Sequence, residues 1–253
     1  MSTAASSNRL DRPEMTRRTI EPAQQTAAKV AGFTSLFTMA IVSFAYLGIQ
    51  ARLIVAGNAA ETARNIMAHE RLFRINIACD LIYCAGVVVL LTALYVILKP
   101  VNRGLALLAA FCRLVYALMW VVIALNLFEV LRLLSGADYL RVFETDRLQA
   151  LARLYLGTPA YGVGLPFYGL GSAVCSYLWF KSRYIPRALA AWGVISSVWC
   201  VTCAFAFIIF PDFAKTVNPW WFDSPMASFE MATGFWLLFR GIQTPSVESS
   251  ITK

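Results

Sequence analysis

Six long apolar stretches, Val30–Ala51, Ile75–Leu98, Leu105–Leu131, Leu151–Phe180, Ala188–Phe210 and Pro225–Ile242, take up most of this chain and decide the solvent in which it can fold. A helix rises about 1.5 Å per residue, so roughly 20 mainly apolar residues cross a hydrocarbon core about 30 Å thick. The first five stretches exceed that length and the last falls just under it. The fold class expected is therefore all-α, a polytopic transmembrane helical bundle of six spans. With 59% hydrophobic and 14% charged residues over 253 positions, an ordinary soluble domain is excluded.

Residues 1–29 read as a polar cytoplasmic tail, 30–243 as one membrane domain and 244–253 as a second cytoplasmic tail. The first apolar run is too long for a signal-peptide core and reads as a signal anchor. Orientation follows from Lys and Arg. The short connections 99–104 and 181–187 carry Lys99, Arg103, Lys181, Arg183 and Arg187, and the N-terminal tail adds Arg9, Arg12, Arg17, Arg18 and Lys29. The opposite connections are longer and mix their arginines with Glu61, Glu70, Asp138, Glu144, Asp146, Asp212 and Asp223. Short positive loops stay in the cytoplasm, which puts both termini there and makes the protein a multi-pass protein of the cell inner membrane.

A net charge of +8 raises the question of nucleic acid, but in a membrane chain cytoplasmic Lys and Arg lie against anionic lipid headgroups. The partners expected are the lipid bilayer, those headgroups and a second membrane protein, with no nucleic acid. Cys79, Cys84, Cys112, Cys175, Cys200 and Cys203 all fall inside expected spans and read as small hydrophobes rather than a disulfide framework. Cys200-Val201-Thr202-Cys203 resembles a redox or metal pair, yet no second pair exists and His69 is the single histidine. No cofactor is expected, and no catalytic set of Ser/His, Cys/His or His/carboxylate type is present.

Local signals add detail. Ala59, Ala63, Ile66, Met67 and Phe73 share a helical face, which suggests an interfacial helix over residues 59–73. Gly162, Gly164, Gly169 and Gly171 with Pro159 and Pro166 predict close packing and a kink in the fourth span. Trp220, Trp221 and Phe222 read as headgroup anchors, and Ser224 with Pro225 as the cap and first residue of the last helix.

The informative residues are the charges inside the spans: Asp80, Arg113, Glu129 and Glu230. A centred Asp or Arg costs about 2.5–3.5 kcal/mol on insertion, so each is expected to face the bundle interior, water or a partner. Counted from the stretch ends, Asp80 and Glu230 share one depth near the outer surface, which Asn126 and Glu129 reach from the third span. Arg113 lies deeper. Asp80, Arg113, Asn126, Glu129 and Glu230 are thus the candidate ligand-binding residues, and an Asp80–Arg113 structural clamp is the competing interpretation.

Residues 65–74, 94–103 leading into Leu105-Ala106-Leu107-Leu108-Ala109, 182–187, and Glu230 through Trp236 to Gly241 together resemble a bacterial membrane family, domain of unknown function four-three-eight-six. The resemblance implies a multi-helix membrane domain and carries no activity or site residue with it. Three functional classes follow: a bundle that binds a small molecule or ion in an outer-half polar cluster, a non-catalytic assembly or sensory partner in a larger complex, and, fitting worst, an intramembrane enzyme.

Overall fold

The computed structural model describes residues 20–210, 212–217 and 219–243, and every element among them is helical. Helix α1 (Pro22–Ser43) continues through a π-helical stretch, Phe44–Gln50, and a last turn, Ala51–Leu53. It is followed by α2 (Ala59–Ala68), α3 (Glu70–Leu98), α4 (Arg103–Leu134), α5 (Thr145–Leu156), α6 (Ala160–Ser182), α7 (Arg187–Ile209) and α8 (Pro219–Phe239). Five segments are long and apolar enough to cross a membrane: Pro22–Leu53, Glu70–Leu98, Arg103–Leu134, Thr145–Ser182 and Arg187–Ile209. Helix α8 is the sixth long helix of the bundle.

Local chemistry sets the boundaries, and several differ from the sequence expectation. Asn58 and Asn102 cap α2 and α4, accepting hydrogen bonds from the amides of Glu61 (2.9 Å) and Leu105 (3.0 Å). The expected helix over 59–73 breaks at His69, so Phe73 belongs to α3, where it is buried. The fourth apolar stretch is interrupted at Gly157, Thr158 and Pro159, because a residue before proline avoids the helical region and glycine readily closes the preceding helix. Leu151 to Leu156 therefore belong to α5, which packs on α2 at one end of the bundle. The last helix starts at Pro219, so Pro225 lies inside it and Ser224 does not cap it. The indole N–H of Trp192 donates to the Pro225 carbonyl at 3.2 Å. Phe222 is not a surface anchor: it is buried, with its ring 5.3 Å from that of Phe207. The side chains of Trp220 and Trp221 and the two tails, 1–19 and 244–253, lie outside the described residues.

The six long helices form a closed ring in chain order. Each of α1, α3, α4, α6, α7 and α8 packs against its predecessor and successor, and α8 returns to α1. At one end the ring is tied by polar contacts between segments distant in sequence. Gln24 donates to the Ile97 carbonyl (3.2 Å), Gln25 donates to the Ile242 carbonyl (2.8 Å) and accepts from its amide (3.2 Å), and the Gln243 amide donates to the Tyr184 carbonyl (2.9 Å). The start of α1 and the end of α8 therefore meet at the same end.

The polarity of the bundle is inverted relative to a water-soluble protein. Phe33, Phe37, Phe111, Leu125, Ile195, Val198, Ile209 and Phe235 stand on its outside, whereas Asn76, Asp80, Arg113, Ser172, Ser176 and Ser197 are buried within. A continuous apolar exterior of this kind suits hydrocarbon. Small residues bring the helices together. A Cβ at Gly32 would lie 2.5 Å from the Leu238 amide nitrogen and 2.7 Å from the Gly234 carbonyl oxygen, so α1 and α8 touch backbone to backbone. Gly164, Gly169 and Gly171 make the close approaches expected of them, and Gly162 faces open space.

These contacts yield a stability expectation. Gly32→Ala must separate α1 from α8 and destabilise the bundle by about 1–3 kcal/mol, as overpacking does. Gly162→Ala, with nothing within 4 Å of its new methyl group, is the control and shifts stability by less than about 1 kcal/mol. Thermal unfolding of both variants in lipid nanodiscs checks this, and equal midpoints would contradict the packing argument.

Candidate functional site

Arg113 sits at the centre of the ring. It is ten residues into α4, hence about 15 Å from that helix's start, and α6 presents Ser172 at the same distance from its own end. Because α8 begins at Pro219 rather than Pro225, Glu230 falls near the middle of its helix, about 14 Å before its end. The three groups meet there. Arg113 Nη2 donates to Ser172 Oγ at 2.7 Å and to Glu230 Oε1 at 3.2 Å. The Arg113 guanidinium also lies 5.4 Å over the Tyr168 ring, a cation–π contact strengthened by burial. Helices α4 and α8 are not neighbours in the ring, so this ion pair crosses its interior.

Beside the pair is a cavity of about 40 Å³ whose polar lining comes from Ser35, Arg113, Ser172, Glu230 and Thr233. It has room for about three or four water molecules, since one needs roughly 10–15 Å³ of such volume. Arg113 Nε and Thr233 Oγ1 are buried there with no protein partner, as is Ser176 Oγ one turn along from Ser172. Buried donors without partners cost about 1–3 kcal/mol each unless water or a ligand answers them. The site can thus hold water or a small ion. Its spare donors are those of a guanidinium whose charge Glu230 already neutralises.

The other expected site residues lie elsewhere. Asp80 is buried on α3 and accepts from Asn76 Nδ2 at 3.3 Å, so it faces the interior as expected, but Arg113 pairs with Glu230 instead of with it. Asn126 donates to Thr158 Oγ1 at 2.8 Å and so pins the break between α5 and α6. Glu129 stands on the surface in an ion pair with Arg132, at 2.8 Å. The four residues expected at one outer level therefore occupy separate positions. Asp80 and Glu230 lie at similar distances from the starts of their helices, but α3 runs on to Leu98 and α8 only to Phe239, so the two stand about 27 Å and about 14 Å from the end of the bundle where α1 starts.

Sequence reasoning passed over an aromatic column leading outward from Arg113. Tyr168 stacks at 4.7 Å on Tyr116, Tyr116 meets Trp120 edge-on at 6.3 Å, and Trp120 packs at 4.4 Å on Tyr83 and at 6.1 Å on Tyr161. The signal was present as spacing. Arg113, Tyr116 and Trp120 repeat at i, i+3 and i+7, and Tyr161 and Tyr168 are seven apart, so each set lies on one helical face.

No curated protein and no solved structure matches the chain. The model of one family, described as Domain of unknown function (DUF4386), matches residues 30–241, a segment that holds all of the site residues above. The chain belongs to that family.

Proposed function

We propose that the protein is a six-span inner-membrane protein, with both ends of the chain in the cytoplasm, that binds a small anion of halide or carboxylate size in the core beside Arg113. The observation carrying this is the buried Arg113 guanidinium, whose Nε has no protein partner, lining a cavity of about 40 Å³. Arginine offers planar paired donors that suit an oxyanion, and Ser172, Ser35 and Thr233 add neutral donors around it. The cavity volume favours an ion or a few waters over an organic molecule. The ligand site therefore sits in the middle of the bundle rather than in its outer half.

The orientation is supported by where charge is left uncompensated. Among the described residues every ion pair other than Arg113–Glu230 links near neighbours at the far end of the bundle or in its connections: Glu70–Arg74, Glu129–Arg132, Asp138–Arg141, Glu144–Arg147 and Asp212–Lys215. Lys99, Arg103, Lys181, Arg183 and Arg240 gather at the end where α1 starts, and positive charge of that kind marks the cytoplasmic side. It also gives anionic headgroups a surface to meet. Single cysteines replacing Ser7 and Ser249 are expected to react with a membrane-impermeant maleimide only after the inner membrane is opened. Labelling from the periplasm would reverse the orientation.

The binding reading and a purely structural clamp separate under mutation. Arg113→Leu leaves Glu230 uncompensated and is expected to destabilise by about 3 kcal/mol under either reading. Glu230→Gln distinguishes them, because it frees Arg113 for an external anion. Under the binding proposal, chloride or formate raises the thermal midpoint of Glu230→Gln in nanodiscs more than that of the wild type, with gluconate as the impermeant control. A Glu230→Gln variant that loses stability and answers no anion supports the clamp, and with it a role as an assembly partner.

A further inference from the structure

Asp80 raises a separate question, because nothing at the Arg113 core uses it. Its residue is 1% exposed and that of Asn76, one helical turn away, is fully buried. The amide of Asn76 donates to Asp80 Oδ2 at 3.3 Å, which leaves Asp80 Oδ1 and Asn76 Oδ1 as two buried acceptors with no donor. Two unanswered oxygens side by side on one helix face, inside an apolar bundle, call for something positive or for a hydrogen that can be shared. An isolated ionised carboxylate in such surroundings is far more costly than a neutral acid.

We propose that Asp80 and Asn76 form a proton-binding site, in which Asp80 carries the proton on Oδ1 and donates it to Asn76 Oδ1. A single proton then satisfies both orphan oxygens. The result is a two-bond ring, with Asn76 N–H to Asp80 Oδ2 in one direction and Asp80 O–H to Asn76 Oδ1 in the other. Protonation adds one proton from water to the carboxylate and removes the one buried negative charge of that level; no other bond changes.

The surroundings of Asp80 agree with a neutral acid. Asp80 joins none of the ion pairs among the described residues. On α3 its titratable neighbours are Cys79, Tyr83 and Cys84; Tyr83 packs on Trp120, and the Cys84 thiol donates to the Ala117 carbonyl. On α4 they are Tyr116, packed on Tyr168, and Glu129, which binds Arg132. On α6 the nearest is Tyr161, against Trp120. The π stretch carries Tyr46, which is exposed, and α2 carries Glu61, which accepts from Asn58 Nδ2, and Arg64, which is exposed. No cation among them is bonded to Asp80.

The π stretch lies beside the pair. Thr38 touches the position of Gly86, and counting antiparallel from there places Phe44–Gln50 at about the height of residues 74–80. The Ala51 amide reaches back five residues to the Tyr46 carbonyl and the Ile54 amide four residues to that of Gln50.

Infrared spectroscopy of the full chain in nanodiscs tests the proposal with aspartate labelled by ¹³C at its carboxyl carbon. At neutral pH the carbonyl stretch of a protonated carboxyl is expected to appear and to shift with the label. It is expected to vanish in Asp80→Asn and to move to higher frequency in Asn76→Leu, where the acid loses its ring partner. Replacing sodium by choline should leave it unchanged. The unsubstituted protein suffices if either variant fails to fold, since the label separates aspartate from glutamate. Absence of a label-sensitive band overturns the proposal. In that case, a sodium-dependent rise of the thermal midpoint that Asp80→Asn abolishes assigns the site to a sodium ion, and no such rise leaves the two oxygens to bound water.

Discussion

The ion pair between Arg113 and Glu230 exists only when the ring is closed. Its partners sit on α4 and α8, which have no extended contact with one another, so the pair forms only once α8 has returned to α1. Each charge would be costly without the other, because a buried charge deprived of its partner loses several kcal/mol. The pair therefore selects the register of α8, and the rest of that helix conforms. Phe222, Met226, Phe229, Thr233 and Leu237 recur at steps of three and four and turn one stripe inward. Glycine makes the geometry possible. A Cβ at Gly171 would crowd the Ala109 carbonyl at 3.2 Å and Arg113 Cγ at 3.3 Å, and one at Gly193 would collide with the Phe229 ring.

Much of this was legible in the sequence, for reasons that also explain where it failed. Long apolar runs report the cost of exposing backbone to hydrocarbon, and that cost is large enough to fix six long helices in order. Boundaries depend on smaller terms. Pro225 looks like a first-turn proline because that is where proline is cheapest, yet here it lies six residues inside α8 and Glu230 moves with it to the middle. Conversely, Pro159 ends a run that hydropathy alone would carry straight through. Burial of Asp80 and Arg113 could be anticipated from the cost of a charge in lipid. Their partners could not, because pairing between helices depends on rotation and register, which span lengths do not encode. The Tyr83, Tyr116, Trp120, Tyr161 and Tyr168 column was hidden because aromatic residues in an apolar helix look alike whether they face lipid or interior.

The interior is consequently stratified rather than converging on one level. Towards the end where α1 begins, Gln24 and Gln25 stitch the helix ends together. Near the middle the Arg113–Glu230 pair borders the small cavity. Beyond it the aromatic column fills the ring with large, well-packed surface, and from the height of Trp120 outward Asp80 and Asn76 share one face of α3. Such alternation is what a dry bundle demands, since polar groups lower the free energy only where another polar group or water meets them and apolar surface must exclude water from the rest.

The spacing of those strata bears on how independent they are. The Cys84 thiol donates to the Ala117 carbonyl at 3.4 Å, which fixes the height of α3 against α4 and sets Asp80 opposite about residue 121. Eight residues separate that height from Arg113, or about 12 Å along the helix. At that distance side chains with no shared partner contribute to stability almost additively. Coulombic coupling across it is screened by Glu230, which neutralises Arg113 at close range. What links the two levels is therefore packing rather than charge: Tyr83, one turn from Asp80, rests on Trp120, and Trp120 on Tyr116, whose ring lies against Tyr168 beneath Arg113. Close-packed rings do not compress, so movement at either polar level must displace this column as a unit or leave the other level undisturbed.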